Sequence, residues 1–235
     1  MTSNAPASPP DSPLRHGRSI AWLVAAAFFM ENLDATVIGT AVPAMAQSFG
    51  VVPVALSIGI SAYLLALAVF IPVSGWVADR FGPRHVFAAA LLIFTLASVG
   101  CGLAPSLPLF VLARSVQGIG GALMVPVGRL IVLRSTPKSG LVKALATITW
   151  PGLAAPVLGP PLGGWIASTW SWHWIFFLNL PLGLLAMGFA LRWIDDAPGQ
   201  HRPFDWIGFV TSGAGLAALM FGMDLLSHGS SGGTL

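Results

Sequence analysis

Long apolar stretches alternate with short polar breaks along nearly the whole chain. Residues 20–46, 54–77, 86–104, 108–133, 144–168, 174–194 and 206–226 are each close to or beyond the roughly 20 residues needed to cross a bilayer core. They predict seven membrane spans. In lipid a single segment of that kind satisfies its own backbone only as a helix. The expected class is therefore an all-α integral membrane protein. Residues 1–18, rich in Ser, Pro and Ala, have no apolar periodicity and read as a disordered cytoplasmic tail. A signal peptide is the competing reading, because Arg15 and Arg18 precede an apolar run and Ala44-Met45-Ala46 resembles a cleavage site. Against it, the run ends about fifteen residues too early, and Glu31 and Asp34 interrupt the segment between that run and Ala44.

Composition and charge sharpen this picture. Hydrophobic residues make up 55% of the 235 positions and charged ones 8%, with a mean hydropathy of +0.82, whereas soluble domains carry about 25% charge. Such a chain cannot solvate a globular surface. The net charge of +3 raises the question of nucleic acid, but the basic residues are dispersed among loops and form no patch, so no nucleic-acid partner is expected. Ten of the eleven Lys and Arg fall near alternate ends of the spans: Arg15 and Arg18, Arg80 and Arg84, Arg129 to Lys143, then Arg192 and Arg202. The intervening connections near residues 47–53, 105–108 and 168–173 have none. By the positive-inside rule the N-terminus is cytoplasmic, and residues 227–235 lie outside. Trp22, Trp76, Trp193 and Trp206 then sit near the inner interface and Trp165, Trp170, Trp172 and Trp174 near the outer one, as amphipathic indoles do. Trp150 lies deeper. The single cysteine, Cys101, allows no intrachain disulfide and reads as small apolar packing.

An internal repeat adds architecture. Pro72-Val73-Ser74-Gly75-Trp76-Val77-Ala78-Asp79 in the second span matches Pro161-Leu162-Gly163-Gly164-Trp165-Ile166-Ala167-Ser168 in the fifth, and Val86-Phe87 continues as Ile175-Phe176. The copies lie three spans apart, an odd number, so they point in opposite directions across the membrane. Two inverted three-helix repeats place a substrate path at the midplane. The resulting residue boundaries are 19–194 for the six-helix bundle, 195–205 for a cytoplasmic linker and 206–235 for one additional helix with its tail.

Few ionisable residues fall inside the spans: Glu31 and Asp34 in the first, Arg114 in the fourth and Asp224 near the end of the seventh. A charge at bilayer depth costs at least about 2.5 to 3.5 kcal/mol on insertion scales, so such residues usually face a cavity and have a role, while Asp224, near an interface, also reads as simply solvated. Glu31 and Asp34, three apart, share one helical face, and two carboxylates in a poorly hydrated place do not both ionise easily. Arg114 works the other way, holding a facing carboxylate ionised. The trio reads as a proton-coupling device or as a structural ion pair between the first and fourth helices. Gln117, Gly118 and Gly121 follow Arg114 on a small-residue face that allows close helix approach. In the fifth span Pro156, Gly159, Pro160, Gly163 and Gly164 combine small residues with prolines that bend a helix. His16, His85, His173, His201 and His228 have no metal-ligand spacing, and no nucleophile triad or phosphate loop is present, so no enzyme and no cofactor is expected beyond a proton gradient.

The short charged turn of residues 75–85 has the pattern Gly-x-x-x-Asp-Arg-x-Gly-x-Arg, with Gly75, Asp79, Arg80, Gly82 and Arg84. It resembles the loop between the second and third helices of the major facilitator superfamily of transporters. Residues 33–38 with Pro43, residues 114–121, residues 159–164 and residues 172–183 also resemble motifs of its fourteen-helix drug/proton antiporter branch. The matches cover residues 31–183. The resemblance implies the N-terminal six-helix half of a proton-coupled exporter of lipophilic, often cationic small molecules in the cell membrane. Asp34 is then the chief proton and cation site, Arg114 its coupling partner, and Asp79 with Arg80 a latch on the cytoplasmic gate. The bend at Gly159 to Gly164 is the element that marks exporters.

Three departures stand against full carry-over. Gly39 stands where the branch commonly has Asn, and His173 where it commonly has Arg. The third is length, because a full member has a second six-helix half. The expected partners are therefore lipid, a small-molecule substrate and the missing C-terminal half or a second half-transporter chain. The alternative is a non-transporting remnant or a ligand-binding or regulatory membrane subunit.

Overall fold

A computed structural model describes residues 17–195 and 203–229. Residues 1–16 of the expected disordered tail, most of the linker with His201 and Arg202, and the final residues 230–235 lie outside the described residues, as do the side chains of Asp224 and His228; Gly17 and Arg18, expected in the tail, instead begin the first helix.

Every expected span is helical. The first is one helix, α1 (Gly17–Phe49). The second is broken into α2 (Ser57–Phe70) and α3 (Ser74–Phe81), with 3-10 turns at Pro53–Leu56 and Ile71–Val73. Pro72 sits in the break, where its ring nitrogen has no hydrogen to donate to the preceding turn. The third and fourth are α4 (Pro83–Gly102) and α5 (Leu107–Ser135). The fifth is α6 (Leu141–Thr169), which runs as one α-helix through Pro151, Pro156, Pro160 and Pro161. The sixth is interrupted at Leu178, giving α7 (His173–Phe177) and α8 (Asn179–Trp193). Pro181 follows that turn and leaves the Phe177 carbonyl without its usual helical donor. The seventh is α9 (Trp206–Gly229). Among the described residues, six helical segments are long and apolar enough to cross a membrane, and the apolar stretch described in α9, Trp206–Leu216, is shorter.

The helix pairing obeys the inverted repeat. Exchanging spans one to three with spans four to six turns the first/fifth contact into the fourth/second one and the third/fourth contact into the sixth/first one. The third/sixth and first/fourth contacts map onto themselves. All of these pairs occur: α1 on α6 and α5 on α2; α4 on α5 and α8 on α1; α4 on α8; α1 on α5. α9 packs against α2 outside this set. In both halves of the repeat it is the second and fifth spans that are least covered, with about a sixth of their most apolar window buried, against more than half for the first, third and fourth.

Close helix approach rests on glycine. A Cβ at Gly118 would meet the Tyr63 carbonyl of α2 at 2.5 Å, and one at Gly120 the Phe94 backbone nitrogen of α4 at 2.7 Å. On α6, a Cβ at Gly159 would fall on the Thr36 hydroxyl of α1, and one at Gly163 would lie 2.7 Å from the Val37 carbonyl. Gly164 and Gly75, by contrast, face open space. Gly159 and Gly163 are thus the close-packing glycines of the fifth span and Gly164 its outward one, while a Cβ at Gly152 would make only an ordinary 3.5 Å contact with Asn32.

Most indoles sit at the surface, with Trp22, Trp165, Trp170, Trp174 and Trp206 exposed. Trp172 corrects the expectation of an interfacial anchor. It is 4% exposed, edge-on to Phe49 and Phe176 and stacked on His173, so it closes the end of the core cluster containing Leu33, Cys101, Phe110 and Phe176.

The glycine contacts generate a paired expectation. Gly163→Leu would press a side chain into α1 backbone that cannot retreat and should lower stability by about 1–3 kcal/mol. Gly164→Leu should stay within about 0.5 kcal/mol, both read from thermal unfolding of the protein in lipid or detergent.

Candidate functional site

Two of the charges expected inside the spans meet at one place. Asp34 on α1 and Arg114 on α5 form an ion pair, Nη1 to Oδ2 2.6 Å, with the whole residues 3% and 1% exposed. Around it the carboxylate is saturated with donors. Oδ1 accepts from Gln117 Nε2 at 3.0 Å and from Asn179 Nδ2 at 2.7 Å. The same Arg114 nitrogen also donates to Gln117 Oε1 at 2.7 Å. Gln117 lies one turn from Arg114 on α5, so the helix itself places both partners.

The network extends into α4 and α8. Asn179 Nδ2 donates to Ser98 Oγ at 2.9 Å, and Ser98 Oγ donates to the Phe176 carbonyl at 3.0 Å. Asn179 stands immediately after the Leu178 turn, so the interruption of the sixth span aims it at Asp34. Cys101 Sγ sits 3.6 Å from Gln117 Oε1, which makes it an edge of the polar cluster as well as small packing. The Tyr63 ring of α2 covers the guanidinium, Cζ to centroid 4.2 Å, the geometry of a cation–π contact. Every span of the six except the fifth supplies a side chain.

Glu31 shares the Asp34 face of α1, as its spacing implies, but it does not join the pair. It is 7% exposed, and its Oε2 has no hydrogen-bond partner. The Tyr63 hydroxyl is likewise unpartnered. Gly121 lies between them: a Cβ there would be 3.1 Å from Glu31 Oε1 and 3.3 Å from the Tyr63 oxygen. Gly39, the first departure from the antiporter pattern, points to open space on the exposed face of α1 beside Ala35, away from the Asp34 network.

The charged turn is a separate construction. Gly82 takes φ 83° between α3 and α4, a left-handed value that suits glycine. Asp79 on α3 reaches Arg134 in the last turn of α5 at 3.3 Å, both side chains partly exposed, so this bridge adds little stability. Arg84 donates to the Leu191 carbonyl in the last turn of α8, the end of a helix dipole that favours a cation. The loop therefore ties together the ends of the second, fourth and sixth spans. Arg80 is exposed.

Sequence reasoning named Asp34 and Arg114 as partners, placed Gln117 only as packing beside them, and did not anticipate Asn179, Ser98 or Tyr63. Tyr63 is the only tyrosine in the chain and lies mid-span, and Asn179 is the one amide in the sixth apolar run, residues 174–194. Both were visible signals without an assignable partner.

The sequence matches the Major Facilitator Superfamily over residues 24–228. Proteins bearing the name multidrug resistance protein MdtD, from Shigella flexneri serotype 5b and Escherichia fergusonii, are each 43% identical over 203 residues, which is 86% of this chain and 43% of each relative. The chain thus spans less than half the length of these curated relatives. Among solved structures, the proton:xylose symporter XylE bound to 6-bromo-6-deoxy-D-glucose superposes with a TM-score of 0.69 at 18% identity, covering 91% of this chain and 51% of that one. The POT family transporter PepTSo gives 0.70 at 14% identity, covering 83% and 40%. At those identities the likeness is one of fold.

Arg114→Ala would leave Asp34 as a buried carboxylate without its cation and should cost about 3–5 kcal/mol of stability. Asp34→Asn combined with Arg114→Gln should cost less than the sum of the two single changes, and a double-mutant cycle on thermal unfolding measures the coupling.

Proposed function

The chain belongs to the major facilitator superfamily, and from that premise we propose that it forms the proton- and cation-handling half of an exporter of lipophilic or cationic small molecules. The observation that carries this reading is the Asp34–Arg114 pair, fully dehydrated at the meeting point of five spans. An ion pair there is a poor route to stability, because desolvation offsets much of its attraction. A transporter has a use for it: the pair's energy changes sharply when a proton or a cationic substrate arrives. The relatives named for multidrug resistance favour export and chemically broad substrates. A proton moving inward through 100 mV supplies about 2.3 kcal/mol, which is adequate to drive such an exchange.

In this reading Glu31, Asp34 and Arg114 form the coupling element, Gln117 orients the ion pair, and Gly118 and Gly121 are the small face that lets α5 approach α2. The N-terminus is cytoplasmic, as the Lys and Arg distribution implies. The Asp79–Arg134 bridge and the Arg84 contact to α8 hold the cytoplasmic ends of the spans together while the path is open outward. The Gly159 and Gly163 contacts to Thr36 and Val37 let α6 pivot against α1, and Pro156 and Pro160 ease its flexing. Alternating access needs one half to rock against another. The sparsely covered second and fifth spans are the faces this half turns toward a second six-helix unit.

The test is ethidium export from cells of known membrane potential that make the intact transporter. Export should collapse on adding a protonophore, and Asp34→Asn should abolish it while leaving the protein in the membrane. Proton-independent export, or undiminished export by Asp34→Asn, would overturn the reading. Asp79→Asn should slow export about tenfold, equivalent to roughly 1.4 kcal/mol on the limiting step. It should leave orientation unchanged because acids contribute little to topology, a point checked by labelling cysteines introduced in the loops.

A further inference from the structure

At the end of the bundle that carries the charged turn, an open crevice of about 370 Å³ lies between the break at Ile71–Val73, α3 and the start of α9. That volume is within the range of small-molecule sites. Three of the lining side chains are aromatic. Trp76 of α3 meets Phe204 edge-on at 4.7 Å, and Phe204 tilts against Phe209 of α9 at 5.7 Å. Two carboxylates, Asp79 from α3 and Asp205 from the residue before α9, complete the wall, and the lining contains no Lys or Arg. Each acid has a modest structural task. Asp205 is exposed and its Oδ1 accepts from the Gly208 backbone at 2.8 Å, which caps α9. Asp79 holds Arg134 at 3.3 Å, with the two side chains 28% and 49% exposed, a long contact for a charge-assisted bond. Neither task accounts for both acids facing one aromatic cavity. Carboxylates and the negative faces of aromatic rings repel anions alike and attract cations.

We propose that this crevice is a second binding site, separate from the Asp34–Arg114 pair, for flat lipophilic organic cations, and that its occupant draws Asp79 away from Arg134. It goes beyond the coupling reading, because binding here requires neither a proton nor the central pair. The apolar body of the ligand lies against Trp76, Phe204 and Phe209. Its charge replaces the guanidinium at Asp79 and has Asp205 as a second counter-charge. Arg134, half exposed, returns to water at little cost. Trp206 stands exposed beside Phe204, with ring centroids 4.6 Å apart, and an indole so placed marks the membrane–water interface. The crevice thus opens at the level where amphiphilic cations gather. Ligand arrival there loosens the joint that Asp79 and Arg134 make between the second and fourth spans.

Photolabelling of the intact transporter with ethidium monoazide, in nonionic maltoside micelles that contain no lipid ammonium group, tests the site. In the wild-type protein the label should fall on residues 72–79 and 203–212, and unmodified ethidium should compete it away saturably. The ethidium concentration that halves this labelling reads the affinity of the crevice alone. Asp205→Asn should raise it roughly five- to tenfold while keeping the helix cap, since Asn caps as well as Asp. Phe204→Leu should raise it by a similar factor, and Phe204→Tyr should restore it. Arg134→Gln should lower it about threefold, because Asp79 loses its competitor, a gain that a purely structural bridge would not give. Wild-type label confined to other segments, or label here that ethidium does not compete, overturns the site, as does unchanged affinity in both Asp205→Asn and Phe204→Leu. Unchanged or weaker binding in Arg134→Gln overturns the competition with Arg134. None of these readouts uses a proton gradient, so they fail or succeed independently of protonophore-sensitive export.

Discussion

A guanidinium that lipid and protein together remove from water must be neutralised, and the arrangement of the helices depends on how that is done. Arg114 finds its counter-charge 80 residues away on another helix, and the acid in turn is held by amides from α5 and α8. Breaking any one of these contacts leaves a buried polar atom with no water to replace it. The pair therefore fixes the mutual rotation of α1, α5 and α8, three long helices whose apolar surfaces alone would tolerate several registers.

Close approach is the second requirement, because hydrogen bonds of 2.6 to 3.0 Å across helices demand backbones that nearly touch. Glycine meets it at two related interfaces. α5 presents Gly118 and Gly121 to α2, while α6 presents Gly159 and Gly163 to α1. The inverted repeat exchanges these two interfaces, so the same device appears once in each half. In a bilayer, where apolar contact with lipid competes evenly with apolar contact between helices, such small-residue seams decide which faces meet.

The two acids of α1 look alike in composition but stand in different surroundings. Asp34 lies among donors only, and Glu31 lies beside an unpartnered hydroxyl and a glycine. The charged turn is different again, with partly exposed Asp79 on Arg134 and Arg84 on a helix-end carbonyl. Contacts of that strength are easily made and released, in contrast to the dehydrated pair at the centre. Strong and weak electrostatic joints thus occupy different levels of the same bundle.

By itself the sequence located the apolar helical spans and the inverted repeat, though not the breaks at Ile71–Val73 and Leu178, and it singled out Glu31, Asp34 and Arg114, because insertion cost makes every charge in an apolar run conspicuous. It did not determine the partners. Asn179 is 145 residues from Asp34, and Ser98 and Tyr63 carry no charge to betray a role. Trp172 read as an interfacial indole and proved to be core. The physical reason is common to all of these: the lipid-facing and core-facing sides of the helices are equally apolar, so hydrophobic period gives helix length but not helix rotation. Only the tertiary structure, through glycine seams and the saturation of one buried carboxylate, decided which side of each helix faces the centre.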